Sequence, residues 1–152
     1  MATVTRSTGV SCQRVWEVLC DGWLYPSWVV GASRMRAVDS TWPATGSRLH
    51  HSVGVWPLLI DDDTRVQEVD EGRRLLLRAR GWPLGEADIE LRLEPEGAGT
   101  GDGSRCRIVM AEKPAAGPGL GLFNPVADRL LAARNSESLA RLAALVEGRS
   151  GS

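Results

Sequence analysis

The chain has 152 residues, of which 43% are hydrophobic and 24% charged, with a formal net charge of −1 and a pI near 6.1. That length suits one domain able to bury roughly 70% of its unfolded surface. The balanced charge excludes a global basic field of the kind that draws nucleic acid or anionic membrane. No run approaches the roughly 18 apolar residues of a membrane span, so no stable membrane insertion is expected. The opening MATVTRSTGVS has no apolar core like that of a signal peptide, and a cytoplasmic location is expected by default. Cys12, Cys20 and Cys106 are odd in number and lack C-x-x-C spacing. They read as small buried hydrophobes, with neither a disulfide framework nor a zinc site indicated. Six tryptophans stand against one Phe and one Tyr; large aromatics concentrate in cores and ligand pockets, so their positions matter.

In chain order, Thr3 to Ser7 reads as a first strand, turned by Thr8-Gly9. Ser11 is set to cap a helix over Cys12 to Cys20, whose apolar side is Val15, Trp16, Val18 and Leu19. After Asp21-Gly22, the aromatic stretch WLYPSW from Trp23 to Trp28 suggests one helical turn interrupted at Pro26. Arg34 to Asp39 then reads as a second strand.

Strand and turn signals dominate from there to about residue 112. Ser47 to Val55 alternates, with Leu49, His51, Val53 and Val55 on one face. Trp56-Pro57 bends or breaks that strand, and Leu58 to Val69 follows as a long one. Arg73 to Arg80 points Leu75, Leu77 and Ala79 inward. Glu86 to Glu94 gives the clearest period-2 pattern, through Ala87, Ile89, Leu91 and Leu93. Arg105 to Glu112 aligns Cys106, Ile108, Met110 and Glu112. Lys113 to Phe123, KPAAGPGLGLF, is too rich in Gly and Pro for regular structure, and reads as a mobile connection able to gate a cavity mouth.

The last element is the best specified. Asn124 is a good N-cap, Pro125 suits the first helical position, and Gly148 supplies a stop. Ala127, Leu130, Leu131, Leu142, Leu145 and Val146 fall on one side of this helix. Arg134, Asn135 and Ser138 share that side, where a helix that only built a core would be apolar. The expectation is a face that looks partly into a cavity, with Glu112 as the partner a buried Arg134 would need.

Three stretches carry a resemblance: SCQRVWEVLCDGWLYPSWV, GSRLHHSVGVWPL and NPVADRLLAARNSESLARLAAL. With them, and with the element order of nearly the whole chain, the sequence resembles the START-like or Bet v 1-like (SRPBCC) superfamily, in its bacterial polyketide cyclase/dehydrase branch. The resemblance implies an α+β helix-grip fold, in which a curved antiparallel sheet of about seven strands wraps round a long C-terminal helix. Two short helices follow the first strand. Residues 1–148 are expected to form this single domain, and 149–152 a disordered tail. The family is known for an apolar internal cavity with diverse uses and no universal catalytic motif, so fold alone does not fix activity.

Within that frame, Arg134, Asn135 and Ser138 are expected to anchor a mostly apolar ligand, against a structural reading in which each bonds its own neighbourhood. His50 and His51 must face opposite sides of their strand and cannot share a metal. His51, and with it Glu112, is the candidate acid or base. Asp61, Asp62 and Asp63 are split by alternation and fit a solvated strand better than a metal site. GPGLG lacks dinucleotide-loop spacing, and there is no G-x-S-x-G elbow, H-E-x-x-H or phosphate loop. Trp28, Trp56 and Trp82, beside turns where the sheet ends, are expected at the pocket, along with Met110, Leu130 and Leu131.

The function expected is binding of a small hydrophobic or aromatic molecule, of a polyketide-like kind, by a monomer or weak homodimer. No cofactor, metal or nucleic acid is expected. The alternatives are a cyclase or dehydratase that uses the same cavity, and an interaction module whose cavity has collapsed.

Overall fold

The computed structural model describes residues 2–30, 32–53, 60–81, 85–97, 105–116 and 125–150. Strand β1 (Ala2–Thr8) leads to helix α1 (Cys12–Cys20), a 3-10 turn (Gly22–Leu24) and the short helix α2 (Tyr25–Trp28). Six strands follow, β2 (Ala32–Val38), β3 (Arg48–Val53), β4 (Ile60–Asp70), β5 (Arg74–Gly81), β6 (Gly85–Glu96) and β7 (Arg105–Ala116), and then the long helix α3 (Pro125–Ser150). The sheet has seven strands in the order β1-β7-β6-β5-β4-β3-β2, antiparallel throughout. Strands β2 to β7 form a meander, and β1 closes it on the far side of β7.

Register shifts in the β2–β3, β4–β5 and β6–β7 pairs interrupt the ladders near Ala32/Arg34, Val66/Glu68 and Glu86/Ala87. Such bulges bend and twist a strand, which gives this sheet its curvature. The concave face carries Leu49, Val66, Leu75, Leu77, Ile89, Leu91, Leu93, Ile108 and Met110, all buried. The convex face is laid with cross-strand ion pairs, including Arg78 to Asp88 at 2.8 Å and Arg74 to Glu90 at 2.7 Å.

Helix α1 begins where expected: Ser11 Oγ accepts from the Arg14 N–H at 3.3 Å. Its buried side is Val15, Trp16, Val18 and Leu19. The 3-10 turn comes so close to the sheet that a Cβ built on Gly22 would stand 2.5 Å from Leu49 Cδ2 and 2.9 Å from Val38 Cγ1. Trp42 Nε1 donates to the Leu19 carbonyl at 3.1 Å, tying the β2–β3 connection to the end of α1.

Several expectations need correction. Cys12 and Cys106 are joined by a disulfide across 94 residues of sequence, with Cα atoms 4.9 Å apart. No local spacing announces it. The β1–β7 register sets Thr8 opposite Cys106, and Cys12 opens the helix that follows β1. Strand β7 runs on through Pro114 to Ala116, into the segment read as irregular. Among the described residues, it pairs beyond Glu112 with β6 alone, so proline's missing N–H removes no bond to β1 there. Helix α3 passes through Gly148 to Ser150, because a glycine permits a stop without imposing one.

Leu130 is 67% exposed, although its spacing assigns it to the apolar side of α3. The buried stripe is Asn135, Ser138, Leu139, Leu142, Ala143 and Val146. At 3.6 residues per turn, Leu131 lies within about 20° of Leu142, whereas Leu130 is about 120° away.

Candidate functional site

Thr8, Ser47 and Ser52 apart, the buried polar side chains lie on the concave face of the sheet and on the inward stripe of α3. On the helix side, Asn135 and Ser138 are 0% and 1% exposed. Both lie in the stripe that α3 turns inward, as their spacing from Leu139 and Leu142 requires. On the sheet side, the period-2 alternation of β7 brings Glu112 inward behind Ile108 and Met110.

Glu112, Arg134 and Asn135 form one hydrogen-bonded unit. Arg134 Nη2 donates to Glu112 Oε1 at 2.6 Å, and Asn135 Nδ2 donates to the same oxygen at 3.2 Å. Asn135 Oδ1 accepts from Arg134 Nε and Nη2, each at 3.3 Å. The Glu112 side chain is 8% exposed and that of Arg134 42%. The guanidinium therefore reaches toward water while its partner is enclosed, which reconciles the ion pair with the cost of burying charge. Ser138 works elsewhere: its Oγ accepts from the Val30 N–H at 3.1 Å, pinning the chain after α2 to α3.

A second polar group sits at the β3–β4 end. His51 is buried, and its Nε2 lies 2.8 Å from Thr64 Oγ1. The Tyr25 ring stacks on the imidazole with centroids 5.5 Å apart and planes at 24°, and Trp28 meets Tyr25 edge-on. Burial lowers the pKa of His51 against the opposing pull of Asp62 and Asp63, which favours the neutral ring. Burial raises that of Tyr25, which keeps its hydroxyl proton. His50, on the opposite face as expected, bonds Asp39 Oδ1 at 2.9 Å.

Asp62 does not fit the solvated strand read for residues 61–63, since it is 6% exposed. It stands directly opposite His51 in the β3–β4 ladder, on the same inward face. Among the described residues, no group of three His, Cys, Asp or Glu side chains is placed to hold a metal.

The residues named from sequence thus separate. Arg134, Asn135 and Glu112 come together, with Met110 beside Glu112 on the same strand face. Trp28 and His51 meet through Tyr25, which sequence reasoning passes over, as it does Thr64 and Asp62. Leu131 is half-buried near the start of the stripe, Leu130 faces solvent, and Trp56 and Trp82 lie outside the described residues. The signal that could have found Asp62 and Thr64 is the pairing of β4 with β3, which carries the inward register of Leu49 and His51 across the ladder.

The model of the family described as polyketide cyclase / dehydrase and lipid transport matches residues 1–147. The chain belongs to this family. Solved structures agree on the fold of this polyketide cyclase/dehydrase family member. The di-domain ARO/CYC BexL from the BE-7585A biosynthetic pathway superposes with a TM-score of 0.71 at 15% identity, over 96% of this chain and 46% of that one. Protein NE0264 from Nitrosomonas europaea gives 0.69 at 16% identity, over 99% and 96% of the two chains. The Zhui aromatase/cyclase from Streptomyces sp. R1128 gives 0.66 at 19% identity, over 98% and 94%. No curated protein sequence matches the chain. Among the described residues, no helix is long and apolar enough to cross a membrane.

Proposed function

We propose that this family member binds a small hydrophobic or aromatic molecule, of a polyketide-like kind, between the concave face of its sheet and α3. One observation carries the reading. Six polar side chains, His51, Asp62, Thr64, Glu112, Asn135 and Ser138, are buried on surfaces that sheet and helix turn toward each other. A fold that only needed a packed core would gain by making those positions apolar. A few convergent polar groups in an apolar setting are what orients a ligand. The aromatase/cyclases among the similar structures support the polyketide-like class.

The test is titration with a fluorescent apolar probe, alongside mass spectrometry of small molecules that co-purify. Leu131→Trp narrows the space one turn from Asn135 and is expected to weaken probe binding at least tenfold. Unchanged affinity in a folded Leu131→Trp variant would remove the basis of the reading.

A second reading, a cyclase or dehydratase, is favoured by the neutral His51, held at Nε2 by Thr64 and stacked on Tyr25, since a neutral imidazole can accept a proton. Glu112 is the less available of the two candidates, because Arg134 and Asn135 both occupy its Oε1. Turnover lost in His51→Ala with probe binding retained would establish this reading over simple carriage.

A further inference from the structure

Among the described residues, three buried side-chain atoms have no hydrogen-bond partner, His51 Nδ1, Asp62 Oδ2 and Gln67 Nε2, and the first two belong to residues paired across β3 and β4. His51 and Asp62 are 3% and 6% exposed and stand directly opposite each other on the inward face of β3 and β4. Buried polar atoms are nearly always paired, so a matched couple on one face marks a place built for another group.

The surrounding bonds determine what that group must offer. Thr64 is fully buried, and the bond its hydroxyl makes among the described residues is to His51 Nε2 at 2.8 Å. The hydroxyl proton needs an acceptor, and it has one when Thr64 donates to Nε2. The opposite direction strands that proton. A neutral imidazole that accepts at Nε2 carries its hydrogen on Nδ1. The interior thus presents one donor, Nδ1–H, and one acceptor, Oδ2 of the Asp62 carboxylate. The other oxygen of that carboxylate, Oδ1, already accepts from the Asp63 N–H at 2.8 Å and lies 3.7 Å from Arg80 Nε. A hydroxyl accepts one hydrogen bond and donates one, and so satisfies both. A ligand carboxylate would meet Asp62 as a like charge, and an ether oxygen could satisfy only His51.

We propose that His51 and Asp62 form the docking point for a neutral hydroxyl group, phenolic or enolic, on the bound molecule, and so select hydroxylated over unsubstituted aromatic ligands. The inference rests on the binding function proposed above and adds to it the polar end of the ligand and its orientation. The ligand's hydroxyl lies at the β3–β4 end beside Tyr25, with the apolar body extending along the sheet.

The experiment compares 2-naphthol, 2-methoxynaphthalene and naphthalene by titration of the wild-type protein, Asp62→Asn and His51→Phe. Wild type is expected to bind 2-naphthol at least tenfold more tightly than either other probe. Asp62→Asn and His51→Phe are each expected to lose that preference, so that within each variant 2-naphthol binds no more tightly than 2-methoxynaphthalene or naphthalene. In wild type, added 2-naphthol, but not naphthalene, is expected to shift the His51 ring nitrogen resonances, a readout that needs no variant to fold. Equal affinity for all three probes, or no resonance shift on saturation, overturns the hydroxyl docking point and leaves the binding function standing. Failure of every probe to bind overturns both.

Discussion

Removing the guanidinium that faces Glu112 should reveal how much of α3's attachment is electrostatic. An exposed ion pair contributes about 0.2–1 kcal/mol, whereas stranding a fully buried charge costs about 3–5 kcal/mol. This pair lies between those limits, with the Arg134 side chain 42% exposed and that of Glu112 8% exposed. Arg134→Met keeps much of the aliphatic stem and leaves Glu112 Oε1 with the Asn135 amide at 3.2 Å. Its expected destabilisation is about 2 kcal/mol. Glu112→Gln keeps an acceptor for Asn135 and loses only charge assistance, for about 1 kcal/mol. In the double variant the stranded charge is gone, so the expected loss is about 1.5 kcal/mol instead of the sum, a coupling of about 1.5 kcal/mol. Urea unfolding followed by tryptophan fluorescence measures all four proteins, with an unchanged m-value as the check that each unfolds in the same way. If the double variant equals the sum of the singles within about 0.3 kcal/mol, the two side chains do not act as a unit and the reasoning fails.

Gly22→Ala should destabilise the fold by about 1–3 kcal/mol, since its Cβ would stand 2.5 Å from a fully buried Leu49; a melting temperature equal to wild type would refute that close approach. Stability should also depend on the charge of His51. Because its pKa is lowered in the folded state from 6.5, the unfolded chain binds the proton first. Its contribution is therefore complete above that value and is lost as pH falls through it toward the folded pKa, with a slope of at most about 1.4 kcal/mol per pH unit. Unfolding titrations between neutral and mildly acidic pH should show this slope in wild type and a reduced one in His51→Gln; equal slopes would refute it.

The architecture was legible because period-2 and period-3.6 patterns are written locally. Ile89, Leu91 and Leu93 alternate whatever lies beside them, and Ser11 caps α1 through a bond three residues away. The site was legible where a single element broke its own pattern. Asn135 and Ser138 interrupt an apolar stripe, and Glu112 follows Met110 on the inward side of β7. Whatever depends on pairing between distant segments was hidden. Asp62 looks solvated within a run of three aspartates, and only the ladder to β3 turns it toward His51. Tyr25 acquires its role from the ring it stacks on, and Cys12 from a strand that the chain reaches 94 residues later. Leu130 escapes for a different reason: its angular offset from the stripe decides burial, and an approximate wheel does not resolve it.

The Cys12–Cys106 link divides the molecule in a way that contact descriptions do not convey. It closes a covalent ring that contains α1, α2 and strands β2 to β6, while β1 and α3 belong to the two tails that leave it. The helix that lines one wall of the interior is thus outside the ring. A backbone cut anywhere between residues 13 and 105 leaves one connected molecule, but a cut between β7 and α3 frees the helix to be held by packing alone. The covalent ring therefore places no constraint on α3: the helix could part from the sheet without opening the cross-link or unthreading the strands that the ring encloses.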